Sequence, residues 1–458
     1  MRLQKIALIC SLVLVLGGGS LISGALAQPP APGGKLTLDQ ALDIALKNHP
    51  SIRQFQENVA AAKAQVGVSR ANYFPQIRYS DNYFYGTTAA SSTTGSVTSL
   101  LSGTSPSAGL STPGSSGAGA LNTNPGHYYI HRFSANQLIY DFGKTPGQVG
   151  QSRATFEATR QDLANTRQQV VLDAKTSYYG YLATKAAVRV SEENVRLNQE
   201  LVRQAEGFYK VGVRARIDVT KAEANLFNAE SELITARNGF QVAQVSLMTA
   251  LGLKSWPFSD VAGDLDFEPL QLSLEEAKQQ AFHARPELLK NQYQQQAGKE
   301  GVRVARAGYF PSLNSQAIYG WQGNRRPLVD SWYMGAGVNM PLFEGLATKY
   351  SVDQARATLK STEADGEVLQ QNVNKEVEQF FLDVQAAADR IRSTRKAQEA
   401  ARENWRLADG RYRAGVGNII EVTDAQVQYF QSDLSHIRAL YDYKTAQARL
   451  EKAVGKSY

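Results

Sequence analysis

From Val219 to Ala250 the apolar residues keep an unbroken rhythm. Val219, Leu226, Leu233, Phe240 and Leu247 recur every seven residues, and Ala222, Ala229, Ala236, Ala243 and Ala250 recur every seven between them. Steps alternating between three and four make a coiled-coil seam, with large side chains facing small ones. Such a helix must lie lengthwise against another, and its alanine column lets the two axes approach closely. The seam returns at an offset of 203 as Val422, Ala425, Tyr429, Ser432, His436, Ala439, Tyr443, Ala446, Leu450 and Ala453.

That return belongs to a duplication. Leu36-Thr37-Leu38-Asp39-Gln40-Ala41 matches Leu272-Ser273-Leu274-Glu275-Glu276-Ala277 at an offset of 236, which holds through Pro50/Pro286 and Lys63/Lys299. It ends on the identical triplets Tyr73-Phe74-Pro75 and Tyr309-Phe310-Pro311, after which the offset falls to 203. There Tyr209-Lys210-Val211-Gly212-Val213 matches Tyr412-Arg413-Ala414-Gly415-Val416. Two structural repeats are expected, residues 28–271 and 272–458, the first carrying the surplus length.

The surplus has a home. Residues 86–126 are Ser, Thr, Gly, Ala and Pro with a few aliphatics and carry no charge, a composition that reads as a long loop. Strand-like runs flank it, and Tyr79, Tyr83 and Tyr85 mark one strand while Tyr129 and Phe133 mark the next. In the second repeat Tyr319 and Trp321 mark a strand, and Trp332, Met334, Ala336, Val338 and Met340 alternate with smaller or more polar residues. Hairpins are therefore expected at about 76–140 and 312–342. Everything else reads helical, with long helices at 146–210 and 346–412 and shorter ones at 218–250 and 421–454. The long helix of the second repeat carries Val373, Val377, Phe380, Val384, Ala387, Ile391, Ala401, Trp405, Ala408 and Tyr412 on the three-four rhythm. Each long helix spans roughly 95 Å at about 1.5 Å per residue, more than a compact domain needs.

The N-terminus reads as an export signal over residues 1–27. Arg2 and Lys5 precede the apolar run from Ile6 to Leu16, and Ala25-Leu26-Ala27 supplies a small-x-small cleavage site. Cys10 is the only cysteine, which excludes a disulfide framework and a multi-cysteine zinc site. The net charge of +7 comes from Lys and Arg interleaved with Asp and Glu, which reads as solvated helix faces and not as a nucleic-acid surface. Gly143-Lys144-Thr145 lacks the upstream glycine of a phosphate-binding loop, since Leu138 stands there, and Gly415 and Gly417 lack a third glycine at Ile420. His127 and His131 share a strand face without a carboxylate or cysteine close in sequence, and His436 falls in the seam. No constellation supports an enzyme, a cofactor or a metal site.

Taken together, these features resemble the TolC-type outer-membrane export channels. The resemblance rests on the paired Tyr-Phe-Pro triplets, on Leu138-Ile139-Tyr140-Asp141-Phe142-Gly143 and Pro341-Leu342-Phe343-Glu344-Gly345 after the hairpins, and on the two Tyr-x-x-Gly turns. It covers nearly all of the chain beyond the signal. It implies a mixed α/β membrane protein whose coiled-coil helices form an α-barrel and whose two hairpins contribute to a shared transmembrane β-barrel. Four strands cannot close a barrel, so more than one chain is needed; the resemblance makes the assembly a homotrimer, with segments near 28–50 and 251–285 as a belt around the tunnel. The implied function is the exit duct of a tripartite efflux or type I secretion system, lodged in outer-membrane lipid and served by a periplasmic adaptor and an inner-membrane transporter. The alternative is a non-conducting coiled-coil protein of the envelope.

The resemblance also assigns sites. Val211, Gly212, Val213, Ala414, Gly415 and Val416 fall at the adaptor-docking tip, where the plainer alternative is that the glycines serve only the turns. Glu421 and Asp424, three residues apart on one helical face, fall at the acidic ring, where the plainer alternative is support of a helix N-terminus. Asp218 and Tyr412 match residues that hold the closed entrance. The chain departs from the pattern at Gly417, where members with this gate carry a cation, and Arg214, its equivalent in the first repeat, is the candidate substitute.

Overall fold

The computed structural model describes residues 34–88, 122–323 and 325–456. The export signal and residues 89–121 of the long loop lie outside the described residues. In chain order the elements are β1 (Lys35–Leu36), α1 (Leu38–Asn48), α2 (Pro50–Arg70), β2 (Gln76–Thr88), β3 (Asn122–Tyr140), α3 (Lys144–Lys210) and α4 (Arg216–Ala250). There follow β4 (Asp260–Val261), α5 (Leu274–Ala284), α6 (Pro286–Ala307), β5 (Ser312–Gly323), β6 (Val329–Asn339), α7 (Ala347–Arg413) and α8 (Ile419–Ala453). The order helix, helix, strand, strand, long helix, helix thus occurs twice. Among the described residues no helix is long and apolar enough to cross a membrane.

α3 and α7 each run 67 residues, about 100 Å at 1.5 Å per residue. Each starts from two consecutive residues with left-handed backbone, Phe142-Gly143 and Gly345-Leu346. One of the two is glycine in each case, but at opposite places, so Phe142 and Leu346 hold a conformation that side chains disfavour. An acidic residue closes each corner. Asp141 accepts from the Thr145 N–H at 2.7 Å and Glu344 accepts from the Thr348 hydroxyl at 3.1 Å.

Packing follows the seams, and the chain has no single centre. α4 lies along α3 and buries Ala222, Ala229, Leu247 and Ala250, while α8 lies along α7 and buries Val422, Ala425, Ala439, Tyr443, Ala446, Leu450 and Ala453. One core joins β1, α1 and β4 to the middle of α3 through Leu36, Ala41, Ala45, Ala174, Tyr178, Tyr181, Leu251 and Val261. A second joins α5 and α6 to α7 and α8 through Ala277, Ala281, Val373, Val377, Tyr443 and Leu450. Capping boxes open α1 (Thr37 with Gln40) and α5 (Ser273 with Glu276). Close backbone approach ties the ends of α4 and α8 to these short helices. A Cβ on Gly252 would sit 2.9 Å from the His49 Cα, and one on Gly455 would sit 2.8 Å from the Ala284 carbonyl carbon.

β1 and β4 form a short parallel pair, and the four longer strands form one antiparallel sheet in the order β2-β3-β5-β6, with β2 and β6 at its edges. β2 and β3 reach further into the expected loop than its composition suggests, since Gly86 pairs with Gly126 and Thr88 with Asn122 across a bulge. Backbone pairing carried up from the aromatic part of the ladder overrides the low strand preference of Gly, Asn and Pro. The register gives the sheet two distinct faces. One carries Ile77, Tyr79, Tyr83, Tyr129, Phe133, Ala317, Tyr319, Trp332, Met334 and Val338; the other is more polar, with Gln76, Arg78, Ser80, Arg132, Ser134, Asn136, Asn314, Gln316, Ser331 and Gly337, but also carries Tyr128, Ile130, Ile318 and Tyr333.

Candidate functional site

The two helical pairs turn over at one end of the molecule, and both reversals are built alike. α3 ends as the Gly212 N–H donates to the Tyr209 carbonyl at 3.0 Å and the Val213 N–H to the Phe208 carbonyl at 2.9 Å. α7 ends as the Gly415 N–H donates to the Tyr412 carbonyl at 3.0 Å and the Val416 N–H to the Arg411 carbonyl at 3.1 Å. Gly212 and Gly415 have φ of 74° and 80°, the left-handed backbone that closes a helix end without a Cβ penalty. The adjoining side chains face outward, with Val211, Val213 and Val416 71%, 59% and 72% exposed, and Ala414 beside them is exposed as well.

Behind the tips lies a small core of Leu201, Ala205, Ala222, Ala408, Tyr412, Ile419, Val422 and Ala425. Tyr412 is its centre. It has no exposed surface, packs edge-on against Phe208 at 5.6 Å, and its hydroxyl has no hydrogen-bond partner among the described residues. Burial pushes its phenol up, the nearby Asp218 carboxylate adds to this, and Arg214 opposes it. Asp218 lies near Tyr412, and Tyr412 is interior and not on the protomer surface.

Arg214 joins the turns. Its Nη2 donates to the carbonyl oxygens of Gly415 (3.0 Å) and Gly417 (2.5 Å), and its guanidinium lies 5.6 Å from the Tyr412 ring centroid. Gly417 has no room for a side chain. A Cβ would fall 2.8 Å from the Tyr412 nitrogen and 3.0 Å from the Arg411 carbonyl carbon. Arg214, at the equivalent place in the other repeat, reaches back to this turn.

The two acidic candidates differ. Glu421 and Asp424 are both exposed in the first turns of α8, whose N-terminus Asn418 caps by accepting from the Ile420 N–H at 3.2 Å. Glu421, however, pairs with Arg411 Nε at 3.5 Å, while no ion pair is found for Asp424 among the described residues. Sequence reasoning missed Arg411; its one signal was a basic residue in the last turn of a helix that doubles back. A second correction falls on the sheet. His131 has a carboxylate beside it after all, Asp81 at 3.1 Å, brought there by cross-strand register, and His127 pairs with the Tyr83 hydroxyl at 2.7 Å. No group of three or more ligating side chains occurs among the described residues. His436 is half-buried in the seam and meets the Thr394 hydroxyl at 3.2 Å.

Paired coiled coils with exposed apolar tips, joined to a sheet with one aromatic face, define an outer-membrane channel protein. The sequence pattern of the outer membrane efflux protein family matches residues 41–253 and 277–456, and the chain belongs to that family. Among curated relatives it is 24% identical to the probable efflux pump outer membrane protein TtgC of Pseudomonas putida, over 91% of this chain and 82% of that one. It is 23% identical to the outer membrane efflux protein BepC of Brucella suis, over 96% and 89%. Its fold matches the Campylobacter jejuni outer membrane channel CmeC with a TM-score of 0.76 at 16% identity, covering 94% of this chain and 90% of that one.

Proposed function

We propose that three copies of this chain pool their sheets into one closed barrel and their helical pairs into a tunnel. The barrel spans the outer membrane, and the tunnel receives solutes from an inner-membrane transporter through a periplasmic adaptor. The observation that carries this reading is the sheet: four strands, two free edges and one aromatic face. Strand direction alternates from β2 to β6, so the β6 edge of one copy meets the β2 edge of the next in antiparallel pairing, and the order repeats until the ring closes.

The aromatic face fits a bilayer. Tyr79, Phe133, Tyr319 and Trp332 form one lateral row across all four strands. Phe74, Phe310, Leu342 and Phe343 stand exposed toward the helical side. On β2 five residues separate Tyr79 from Phe74, while on β5 nine separate Tyr319 from Phe310 and on β6 ten separate Trp332 from Leu342, roughly 33 Å of extended chain at 3.3 Å per residue. A strand tilt of about 40° brings that to ~25 Å, the height of an outer-membrane apolar band. At the other end, the exposed tips formed by Val211, Gly212, Val213, Ala414, Gly415 and Val416 suit an apolar adaptor. Asp218, Tyr412, Glu421 and Asp424, grouped just behind them, suit the tunnel entrance.

The test is electrical. Full-length protein purified from outer-membrane fractions is expected to migrate as a heat-modifiable trimer and to conduct in planar bilayers. Glu421→Gln/Asp424→Asn is expected to reduce cation preference. Folded trimer that never conducts would point instead to a structural envelope protein.

A further inference from the structure

The charged residues of the sheet are sorted by sign between its two faces. Among the described strand residues, Asp81 and Asp330 fall on the aromatic face, and Asp81 is tied to His131. Arg78 and Arg132 fall on the opposite face, where no carboxylate accompanies them. Neither arginine forms an ion pair among the described residues, and the partner found for Arg78 is the neutral Gln76 Oε1 at 3.5 Å. The neighbouring loops do not balance them. Residues 86–126 carry no charge, and the short connection between β5 and β6 adds Arg325 and Arg326, both exposed.

Register also places the two arginines close together on that face. Arg78 pairs with Ser134 and Arg132 with Ser80, so the arginines are diagonal neighbours on paired strands, about 7–8 Å apart at the backbone and within reach of a shared ligand. Beside Arg132, in the same lateral row, stand Gly320 and Ser331. A cavity of about 250 Å³ adjoins this row, and its lining includes Arg132, Ile318, Ser331 and Tyr333 together with Trp321 and Trp332 of the aromatic face. Guanidinium forks match oxyanions in geometry as well as charge.

We propose that Arg78 and Arg132 form an oxyanion-binding ring on the inner wall of the barrel. The duct would then favour solutes bearing phosphate, sulfonate or carboxylate groups at its outer end, opposite in sign to Glu421 and Asp424 at its inner end. This rests on the duct reading, because it takes the more polar face as the lumen. A wall of one sign in a confined channel concentrates counter-ions by roughly ten- to a thousandfold.

The experiment uses full-length trimer in planar bilayers with inorganic pyrophosphate as probe. Block is expected when pyrophosphate is added on the strand side, and to be at least ~10-fold weaker in Arg78→Gln/Arg132→Gln. Unblocked currents from that variant confirm that it is assembled. Asp81→Asn on the aromatic face is expected to leave the block unchanged. Equal block in the double arginine variant, or block lost only in Arg325→Gln/Arg326→Gln, overturns the inner-wall ring while the channel stands. Absence of any current from inserted wild-type trimer removes the duct reading itself, and the ring with it.

Discussion

Arg214 sits two residues beyond Gly212, yet its guanidinium ends on the carbonyls of the other repeat's turn. Hydrogen bonds from a charged donor are worth about 1.5–3 kcal/mol when shielded, so this one side chain can hold the α3–α4 tip against the α7–α8 tip. Arg214→Ala is expected to free them and raise the open fraction of single channels several-fold. Arg214→Lys should recover only part of the closure, because an ammonium lacks the planar fork. An unchanged open fraction in the alanine variant would show that the tie is incidental to gating. Gly417→Ala probes the same place from the other side. Its added methyl meets backbone at 2.8 Å, and overpacking of this kind costs about 1–3 kcal/mol, visible as a lower melting temperature.

Among the elements, α8 is fixed to α3 by charge as well as by packing. The Lys175 ammonium, nearly buried, contacts the Glu451 carboxylate, and Lys456 joins it at 3.0 Å. Burial on its own would raise the Glu451 carboxyl, but Lys175 and then Lys456 outweigh it, and the net shift is downward. A carboxyl lowered in the folded state stabilises above its unfolded pKa of about 4.3 and loses that stabilisation as pH falls through the folded value. Melting measured from pH 7 down to pH 3 is therefore expected to show an acid-labile component that Glu451→Gln flattens. The same variant should cost about 1–3 kcal/mol at pH 7, since it removes the charge from the carboxylate that the nearly buried Lys175 contacts. Identical acid slopes in variant and wild type would assign the acid sensitivity elsewhere. This pair also marks the limit of reading by sequence. The seam columns of α4 and α8 were visible in spacing alone, because which side of a coiled-coil helix is buried is decided locally. The contacts of Lys175 with Glu451, Arg214 with Gly417 and Asp81 with His131 join residues far apart in the chain, and only the assembled register brings them together. The inner position of Tyr412 was equally hidden, since a sequence match does not say which way a side chain points.

At the scale of the whole molecule, two kinds of surface remain unfinished, and both call for the same partner. The edges β2 and β6 have unpaired backbone along one end of the chain. Along the other, α4 turns its seam toward α3 and leaves a second apolar line outside, through Ile217, Phe227, Ile234, Val242 and Val245. Phe227 and Ile234 are 66% and 69% exposed and seven residues apart, the interval of a coiled-coil contact. The ring proposed above would cover both surfaces with a further copy of the chain. A ring formed by strands alone would leave the α4 line in water over most of its length, and exposed apolar stripes of that size mark interfaces. Phe227→Asp/Ile234→Asp is therefore expected to abolish heat-resistant trimer while sparing the α3–α4 seam, which uses Ala222, Ala229 and Leu247. Circular dichroism of the purified variant should keep its helical content and crosslinking should give monomer. If the variant assembles as well as wild type, α4 faces solvent in the assembly, and the ring must close through the strands and other helices instead.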